Sequence, residues 1–346
     1  MTGTEFNSAF GDHDAAELLT DARNRCAPIL DQAIETLATP LRLMAGYQLG
    51  WWDSSGKPCE TRHGKFIRAA LVFAAAKACG GGIVTAAPAA AAVELIHNFT
   101  IVHDDVIDED TVRRGRPTVW SVWGKTDAIL LGDALHAIAV QVLARARWRR
   151  GVILPAIEQL ESAATELCRG QFEDCALETA SDVDTDDYLR MAIGKTGALM
   201  GCACALGALC ADADSATVST LQCFGRELGL AFQFTDDLIG IWGDPAVTGK
   251  PAGTDIALRK RSLPVVAALR SCTSSAEELN LLYRSDALMT PDEIANATAL
   301  IAAAGGRDYT ARAAVDRTIA AVGLLPDKSK ADDLITLASL AVERDR

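Results

Sequence analysis

The chain has 346 residues, a formal charge of −13 and a composition that is 49% hydrophobic. The acidic balance argues against a nucleic-acid partner, because proteins that bind nucleic acids present basic surfaces to the phosphate backbone. The ten cysteines are scattered, which is typical of reduced thiols in an intracellular protein. No segment has the composition of a linker, so we predict one domain over residues 1–346 and a cytoplasmic location.

Residues 1–13 are polar and lack periodicity, which predicts a frayed end without a signal peptide. Apolar residues then recur at spacings of three and four over 14–44 and predict an amphipathic helix. A loop over 51–62 precedes an alanine-rich helix over 69–79, which three glycines end. A second long helix is expected to begin near Pro88 and to end in an acidic cluster.

The rest of the chain also has helical periodicity. Long helices are predicted over 127–148, 152–177, 185–210 and 215–241, and shorter ones over 261–271, 275–285, 291–304, 308–323 and 328–343. We find no alternating pattern that predicts strands. Apolar runs such as 84–96 are too short to span a bilayer, so no transmembrane segment is expected. The predicted fold class is all-α, with long central helices.

The acidic cluster at the end of the second long helix has a pattern that suits a cation. Asp104 and Asp108 are four residues apart, so on a helix they share a face and their like charges repel. Mg²⁺ binds one or two carboxylates and completes its shell with water and substrate phosphate. Arg113 and Arg114 follow closely, and guanidinium groups bind phosphate well. Taken alone, the motif is equally compatible with an acidic helix end in solvent.

A second acidic pair, Asp236 and Asp237, lies at the end of another long apolar helix. Negative charge at a helix C-terminus opposes the helix dipole, and two such ends facing each other would form one deep cation site. Lys195, Lys250 and Lys260 could each contact an anion there or lie on the surface. Glycines and prolines around Lys250 predict a mobile loop that closes on an anion.

Together these motifs resemble those of the trans-isoprenyl diphosphate synthases, or polyprenyl synthetases, of the short-chain farnesyl and geranylgeranyl type. The resemblance covers roughly residues 60–270 and follows the family's order of motifs. The first aspartate-rich motif is matched by Asp104-Asp105-Val106-Ile107-Asp108 with Arg113-Arg114-Gly115-x-Pro117-Thr118. The second is matched by Phe232-Gln233-x-x-Asp236-Asp237, Gly249-Lys250-x-x-Gly253-x-Asp255 and Lys260-x-x-Leu263-Pro264. Further matches are Gly132-Asp133, Gly170-Gln171 and Lys195-Thr196.

The resemblance implies a bundle of long antiparallel helices around a deep central cavity, a homodimer, and about three Mg²⁺ ions per active site. It implies head-to-tail transfer of an allylic diphosphate to isopentenyl diphosphate. The residues it assigns to catalysis are Asp104, Asp105, Asp108, Lys195, Asp236 and Asp237, with Asp104, Asp108 and Asp236 as metal ligands. Those assigned to the allylic diphosphate are Arg113, Lys195, Thr196, Gln233, Lys250 and Lys260. Those assigned to isopentenyl diphosphate are Lys65, Arg68, His97 and Arg114.

The chain departs from the family pattern at two places. Gly240 stands where the second motif usually ends in a third aspartate, so the last ion is expected to depend on Asp236, Asp237 and oxygens of water or phosphate. The family's Gly-Gly-Lys-x-x-Arg-Pro is represented by residues 63–69, which keep Lys65 and Arg68 but lack the second glycine and the proline. That loss affects the predicted shape of the loop that binds isopentenyl diphosphate.

Phe99 and Thr100 are the predicted determinants of product length. Phe99 is five residues before Asp104, so its ring is expected below the metal site, at the end of the tunnel for the growing chain. An aromatic residue here beside a small one resembles the pattern of enzymes that stop at C20, which predicts geranylgeranyl diphosphate. Alternatives are farnesyl or geranyl diphosphate as product, a class I terpene cyclase on the same fold, or a non-catalytic subunit. Phe99 could also be only a core aromatic.

Overall fold

The structure, a computed structural model, describes residues 14–59, 64–180, 182–244, 253–285 and 287–343. Helices dominate these residues, which confirms the predicted all-α class. The first helices are α1 (Ala15–Glu35), α2 (Leu41–Gln48), α3 (Ile67–Ala78), α4 (Ile83–Ile107), α5 (Val119–Trp123), α6 (Lys125–Ala144) and α7 (Arg150–Thr179). The next are α8 (Thr185–Ala192), α9 (Ala198–Cys210), α10 (Ser215–Trp242) and α11 (Thr254–Ala257). The last are α12 (Leu263–Leu269), α13 (Ser274–Tyr283), α14 (Pro291–Ala303), α15 (Gly306–Leu324) and α16 (Asp332–Glu343).

The amphipathic stretch over 14–44 is two helices, not the single helix predicted. α1 begins where the Asp14 carboxylate accepts a hydrogen bond from the backbone N of Ala16 at 2.9 Å. It ends at Glu35, and Pro40 then precedes α2. A residue before proline is restricted away from the helical conformation, so a single helix cannot continue through Thr39 although the apolar spacing does.

The central helix is α4, which begins five residues earlier than predicted and contains Pro88. It packs against α3, α6 and α9, and its residues Ala89–Val93 are fully buried. Small side chains let the neighbouring helices approach closely, and the resulting core also includes residues of α1, α7, α10 and α16. This packing fixes the acidic end of α4.

The predicted helix over 185–210 is interrupted. A short π-helical segment, Ile193–Gly197, separates α8 from α9 and carries Lys195 and Thr196. Such segments widen one turn of a helix and are frequent at functional sites. α10 packs along α9 and extends to Trp242, where its end contacts a smaller core formed with α11 to α14. That smaller core fixes the second acidic helix end.

A small hairpin follows α4, although no strands were predicted. Strand β1 (Val112–Arg113) pairs antiparallel with β2 (Arg116–Pro117). Arg114 and Gly115 connect them with φ of 54° and 76°. Two consecutive positive φ values are typical of a tight type I′ hairpin turn. Strands of two residues are too short to show an alternating pattern, which is why the sequence did not reveal them.

We expected every apolar run to be too short to cross a membrane, but three helices are longer than that expectation allowed. Within the described residues, three helical stretches are long and apolar enough by length and composition, namely Ile83–Ile107, Lys125–Ala144 and Thr185–Cys210. In the first and third, 72% and 78% of the apolar stretch is buried against the rest of the protein, so core packing accounts for their composition. The second, α6, is only 39% buried.

Candidate active site

Of the three aspartates at the end of α4, two are accessible to solvent and one is buried. Asp104 and Asp108 are partly exposed, one turn apart on the same face. Asp105 is 2% exposed, and its Oδ1 accepts a hydrogen bond from Nε of Arg113 at 2.5 Å. Asp105, predicted as catalytic, therefore holds Arg113 in place, while Asp104 and Asp108 remain the pair available to a cation.

Lysines lie beside this aspartate pair. Nζ of Lys195 is 2.5 Å from Oδ2 of Asp174, and Nζ of Lys260 is 3.5 Å from Oδ2 of Asp108. Burial raises the pKa of Asp104 to about 6, against the effect of Lys195. Burial alone would lower the pKa of Lys195, but Asp174 and Asp104 outweigh it and the pKa is raised. The sequence predicted a positive charge that offsets Asp104 and Asp108. Part of that charge comes from the ammonium groups of Lys195 and Lys260.

Gly170 explains how Lys195 reaches this position. A Cβ at Gly170 would overlap the backbone N of Lys195, so only glycine lets α7 and the π-helical segment approach this closely. Asp174 lies one turn after Gly170 on α7 and pairs with Lys195 from the same side. Asp174 was not among the predicted site residues, although its spacing from Gly170 could have indicated it.

The two aspartates at the end of α10 have different environments. Asp236 is exposed, whereas Asp237 is 5% exposed. Oδ2 of Asp237 accepts hydrogen bonds from Tyr188 Oη at 2.5 Å and from the backbone N of Leu263 at 2.7 Å. Burial raises the pKa of Asp237 to about 7. Asp237 therefore fixes the start of α12 against α10, and Asp236 is the carboxylate that faces outward.

Thr196 and Gln233 connect the π-helical segment to α10. Oγ1 of Thr196 donates to Oε1 of Gln233 at 2.6 Å, and Nε2 of Gln233 donates to Oδ1 of Asp237 at 2.9 Å. Both were predicted to bind the allylic diphosphate. Their polar groups form a chain of hydrogen bonds that ends on the buried carboxylate.

Asp255 lies over Gly240, the position where the family has a third aspartate. A Cβ at Gly240 would overlap the carboxylate of Asp255. Asp236 and Gly240 are one turn apart on the same face of α10, so Asp255 lies beside Asp236. Asp255 and Asp108 both raise the pKa of Lys260, although burial alone would lower it. Lys260 thus lies between the two acidic helix ends and shows that they face each other.

A basic group lies between α3 and α4. Nη1 of Arg68 is 3.2 Å from Nε2 of His97. Burial, followed by the charge of Arg68, lowers the pKa of His97 well below its usual value, so its ring is neutral and Nε2 accepts from the guanidinium. Glu94 is 3% exposed and accepts from the backbone N of Ala69 at 3.1 Å, at the start of α3. Sequence reasoning missed Glu94, whose signal is a lone acid in an apolar helix.

Two further predicted residues of this group lie nearby. Lys65 is exposed just before α3. The guanidinium of Arg114, in the hairpin turn, lies close to Gly64, since a Cβ there would be 3.4 Å from Nη1. Lys250, predicted to bind the allylic diphosphate, lies outside the described residues.

The donor set suits Mg²⁺ without forming a complete site. Within the described ranges, no three His, Cys, Asp or Glu side chains converge on one point. Asp104 and Asp108 offer one pair of carboxylates, and Asp236 with the nearby Asp255 offers another. Because Mg²⁺ takes one or two carboxylates and fills its shell with water and phosphate, such separate pairs fit it.

An all-α bundle with this arrangement is typical of the enzymes that act on prenyl diphosphates. Residues 54–301 match the model of the polyprenyl synthetase family, and the chain belongs to that family. It is therefore a prenyltransferase, as the sequence motifs predicted.

Individual relatives support this membership. The chain is 56% identical over 328 residues to a geranylgeranyl diphosphate synthase of Mycobacterium tuberculosis, covering 95% of this chain and 93% of that one. It is 40% identical over 332 residues to a (2E,6E)-farnesyl diphosphate synthase of Mycobacterium bovis, covering 93% and 91%. A crystal structure of a polyprenyl synthetase from Streptomyces coelicolor A3(2) superposes with a TM-score of 0.90 at 39% identity, covering 95% and 100%.

Proposed function

We propose that this prenyltransferase condenses isopentenyl diphosphate head-to-tail with an allylic diphosphate, and that its main product is geranylgeranyl diphosphate. The observation that supports this most is the presence of two distinct anion-binding groups at one site. One consists of the aspartates and lysines at the ends of α4 and α10, and the other of Arg68, His97 and Arg114. Two diphosphates can therefore bind side by side.

The allylic diphosphate binds at the acidic helix ends in this proposal. Asp104, Asp108 and Asp236 would hold about three Mg²⁺ ions with the help of substrate oxygens, and such ions would supply positive charge for the departing diphosphate. Lys195 and Lys260 lie next to these carboxylates and are available to the same phosphate oxygens. Cations and donors fixed in advance stabilise the charge that grows as the C–O bond breaks.

Isopentenyl diphosphate binds at the basic group. The neutral ring of His97 accepts from Arg68 through Nε2, which leaves Nδ1–H as a donor. Arg68, Arg114 and Lys65 add the positive charge that a diphosphate needs. The double bond of isopentenyl diphosphate attacks the allylic cation, and a proton is then lost to the released diphosphate. The surrounding apolar helices keep water from the cation.

The proposed C20 product rests on Phe99 and Thr100. Phe99 is 7% exposed on α4, a little over one turn before Asp104, where its ring can end the path of the growing chain. The relative that is 56% identical is named for the same product, and the farnesyl relative at 40% makes C15 the second candidate. Mass analysis of products from isopentenyl diphosphate with C5, C10 and C15 allylic diphosphates tests this. Products that stop at C15 would contradict it.

A terpene cyclase and a non-catalytic subunit would each need fewer of these residues. A class I terpene cyclase ionises one prenyl diphosphate and has no use for a second diphosphate site, yet Arg68 and His97 are paired here. A non-catalytic subunit would not need the first acidic motif, whose Asp104 and Asp108 are both present. Cyclic hydrocarbon formed from geranylgeranyl diphosphate, or no turnover by the purified chain, would favour the cyclase or the subunit respectively.

We also propose a cytoplasmic homodimer. α6 is apolar but only 39% buried within one chain, and Ile129 and Leu130 are 44% and 53% exposed on it. A second copy that packs against this helix would cover the exposed apolar side chains. Light scattering of the purified protein is expected to give twice the chain mass. The double variant Ile129→Glu with Leu130→Glu is expected to give monomers, and an unchanged mass would contradict this interface.

A further inference from the structure

The ring of Phe99 is held between two histidine rings. Its centroid is 4.9 Å from that of His103, with the rings edge-on at 76°. It is 5.2 Å from the centroid of His136, with the rings stacked at 19°. Both geometries are favourable for aromatic pairs. Phe99 therefore has a defined neighbour on its face and another at its edge.

His103 is fixed by α6. Its Nε2 donates a hydrogen bond to the backbone O of Ile129 at 3.0 Å. The imidazole lies directly over Gly132, where a Cβ would overlap Nε2. Gly132 thus provides the space for this ring, which gives the Gly132-Asp133 motif a physical role. His103 cannot move away from Phe99 without losing both features.

His136 is fixed by a different helix. Its Nε2 lies 2.9 Å and 3.1 Å from the two carboxylate oxygens of Glu161 on α7. The two side chains are 33% and 41% exposed, and polar contacts this accessible to solvent contribute little to stability. The contact orients the imidazole ring, so that its face lies against Phe99. A carboxylate on α7 therefore restricts a side chain on α4 through one on α6.

We propose that His136, oriented by Glu161, is a positioning residue that keeps the Phe99 ring in the conformation that ends chain growth. This inference rests on the proposed role of Phe99 in product length. Without the stacked partner, the Phe99 ring populates other rotamers, and some of these open the path to a longer chain. Loss of one aromatic pair changes such a population by about twofold to tenfold.

The test compares four single variants in full-length enzyme, with isopentenyl diphosphate and the C15 allylic diphosphate as substrates. His136→Leu removes the stacking partner but keeps similar bulk, and His136→Phe keeps an aromatic ring. Glu161→Gln weakens the contact that orients His136. Glu158→Gln is the matched control, because Glu158 is an exposed glutamate one turn earlier on α7. Product length is measured by mass spectrometry, and folding by melting temperature.

His136→Leu is expected to increase the share of products longer than C20 by about twofold to tenfold. Glu158→Gln is expected to keep the wild-type distribution. Glu161→Gln weakens the contact that orients the ring, and His136→Phe keeps a ring without that contact, so both are expected to give an intermediate distribution. A melting temperature that stays unchanged shows that the effect is positional. Both His136 variants lose the contact to Glu161, so a smaller shift in His136→Phe than in His136→Leu shows that the stacked ring itself positions Phe99.

Phe99→Ala separates this inference from the role on which it rests. If Phe99→Ala lengthens the products while folded His136→Leu and Glu161→Gln do not, His136 has no positioning role. If Phe99→Ala also leaves the products unchanged, Phe99 does not end the chain and both ideas are wrong. If His136→Leu does not fold, Glu161→Gln and His136→Phe decide, because a wild-type distribution in Glu161→Gln overturns the inference.

Discussion

The carboxylate of Asp255 occupies the space in which a side chain at Gly240 would begin. The family's third aspartate is therefore absent at a position where α11 brings another carboxylate close to α10. Asp255 also lies near enough to Lys260 to raise its pKa, against the effect of burial. Besides the buried Asp237, the second acidic helix end thus has two carboxylates, Asp236 and Asp255, which come from different helices.

Restoring the family pattern with Gly240→Asp is expected to lower activity, because the new side chain displaces Asp255. Asp236→Ala is expected to be far more damaging, lowering kcat on the order of a hundredfold or more. Steady-state kinetics across a Mg²⁺ titration measure both. The control is Gly323→Ala, since a Cβ at Gly323 meets no atom within 4 Å. An increase in activity by orders of magnitude in Gly240→Asp would show that the native site is impaired.

Asp104→Ala is expected to remove most turnover while the fold stays intact, because the substitution removes a carboxylate that we propose holds a cation at the departing diphosphate. Excess EDTA is expected to abolish activity in the native enzyme, and added Mg²⁺ to restore it. Asp316→Ala, an exposed aspartate on α15, is the control and is expected to retain activity. Full turnover in EDTA would contradict a metal requirement.

The buried carboxylates predict how the stability of the metal-free protein depends on pH. Burial raises the pKa of Asp104 to about 6 and that of Asp237 to about 7, above the ordinary value of 3.8. The folded state therefore binds more protons than the unfolded state between those values, and the free energy of unfolding increases as the pH falls from about 7.5 to 5. Asp104→Asn removes one ionised group and is expected to stabilise the protein at pH 7.5 by roughly 1–3 kcal/mol.

Urea unfolding between pH 5 and 8 measures this difference. The gain from Asp104→Asn is expected to be largest at pH 7.5 and to shrink toward pH 5, where native Asp104 is protonated. A gain that does not change with pH would show that ionisation of Asp104 is not its source.

Tyr188→Phe tests the network around Asp237. The substitution removes the hydrogen bond from Tyr188 Oη to the buried carboxylate and leaves that oxygen with one donor, the backbone N of Leu263. We expect a loss of about 1–3 kcal/mol in the free energy of unfolding. Tyr309→Phe is the matched control, since Tyr309 is 43% exposed. Equal melting temperatures for the two variants would contradict a structural role for this hydrogen bond.

The sequence predicted which motifs meet, but it did not distinguish adjacent aspartates. Consecutive residues on a helix point in directions about 100° apart, so one of each pair faces the site and the other faces the core. Which one does so depends on packing with other helices. Arg113 pairs with Asp105, and Tyr188 with Asp237, which is 49 residues away in the chain. Such contacts leave no local signal.

Helix positions were predicted well where apolar periodicity was strong, as in α7 and α10. The errors occurred where one residue overrides the periodicity. Pro40 divides the first predicted helix, and the π-helical turn at Ile193–Gly197 inserts an irregularity that spacing does not reveal. Sequence reasoning assigned no role to Asp174 or Asp255, because their importance depends on Lys195 and Gly240 from other elements.

The last prediction concerns Thr100, which is 7% exposed next to Phe99 and donates from Oγ1 to the backbone O of His97 at 2.8 Å. Thr100→Phe adds bulk at a packed position and is expected to shorten products toward C15. Overpacking is expected to lower the free energy of unfolding by about 1–3 kcal/mol. Thr100→Val keeps the size without the hydroxyl, so it is the matched control and is expected to keep the wild-type product length.

Phe99→Ala is the opposite change and is expected to extend products beyond C20, because it removes the ring that ends the chain. The cavity it leaves is expected to cost about 3–5 kcal/mol, so melting temperature is measured with product length. If Phe99 is only a core aromatic, that stability loss occurs without any change in product. An unchanged product profile in folded Phe99→Ala and Thr100→Phe would contradict the assignment of both residues to product length.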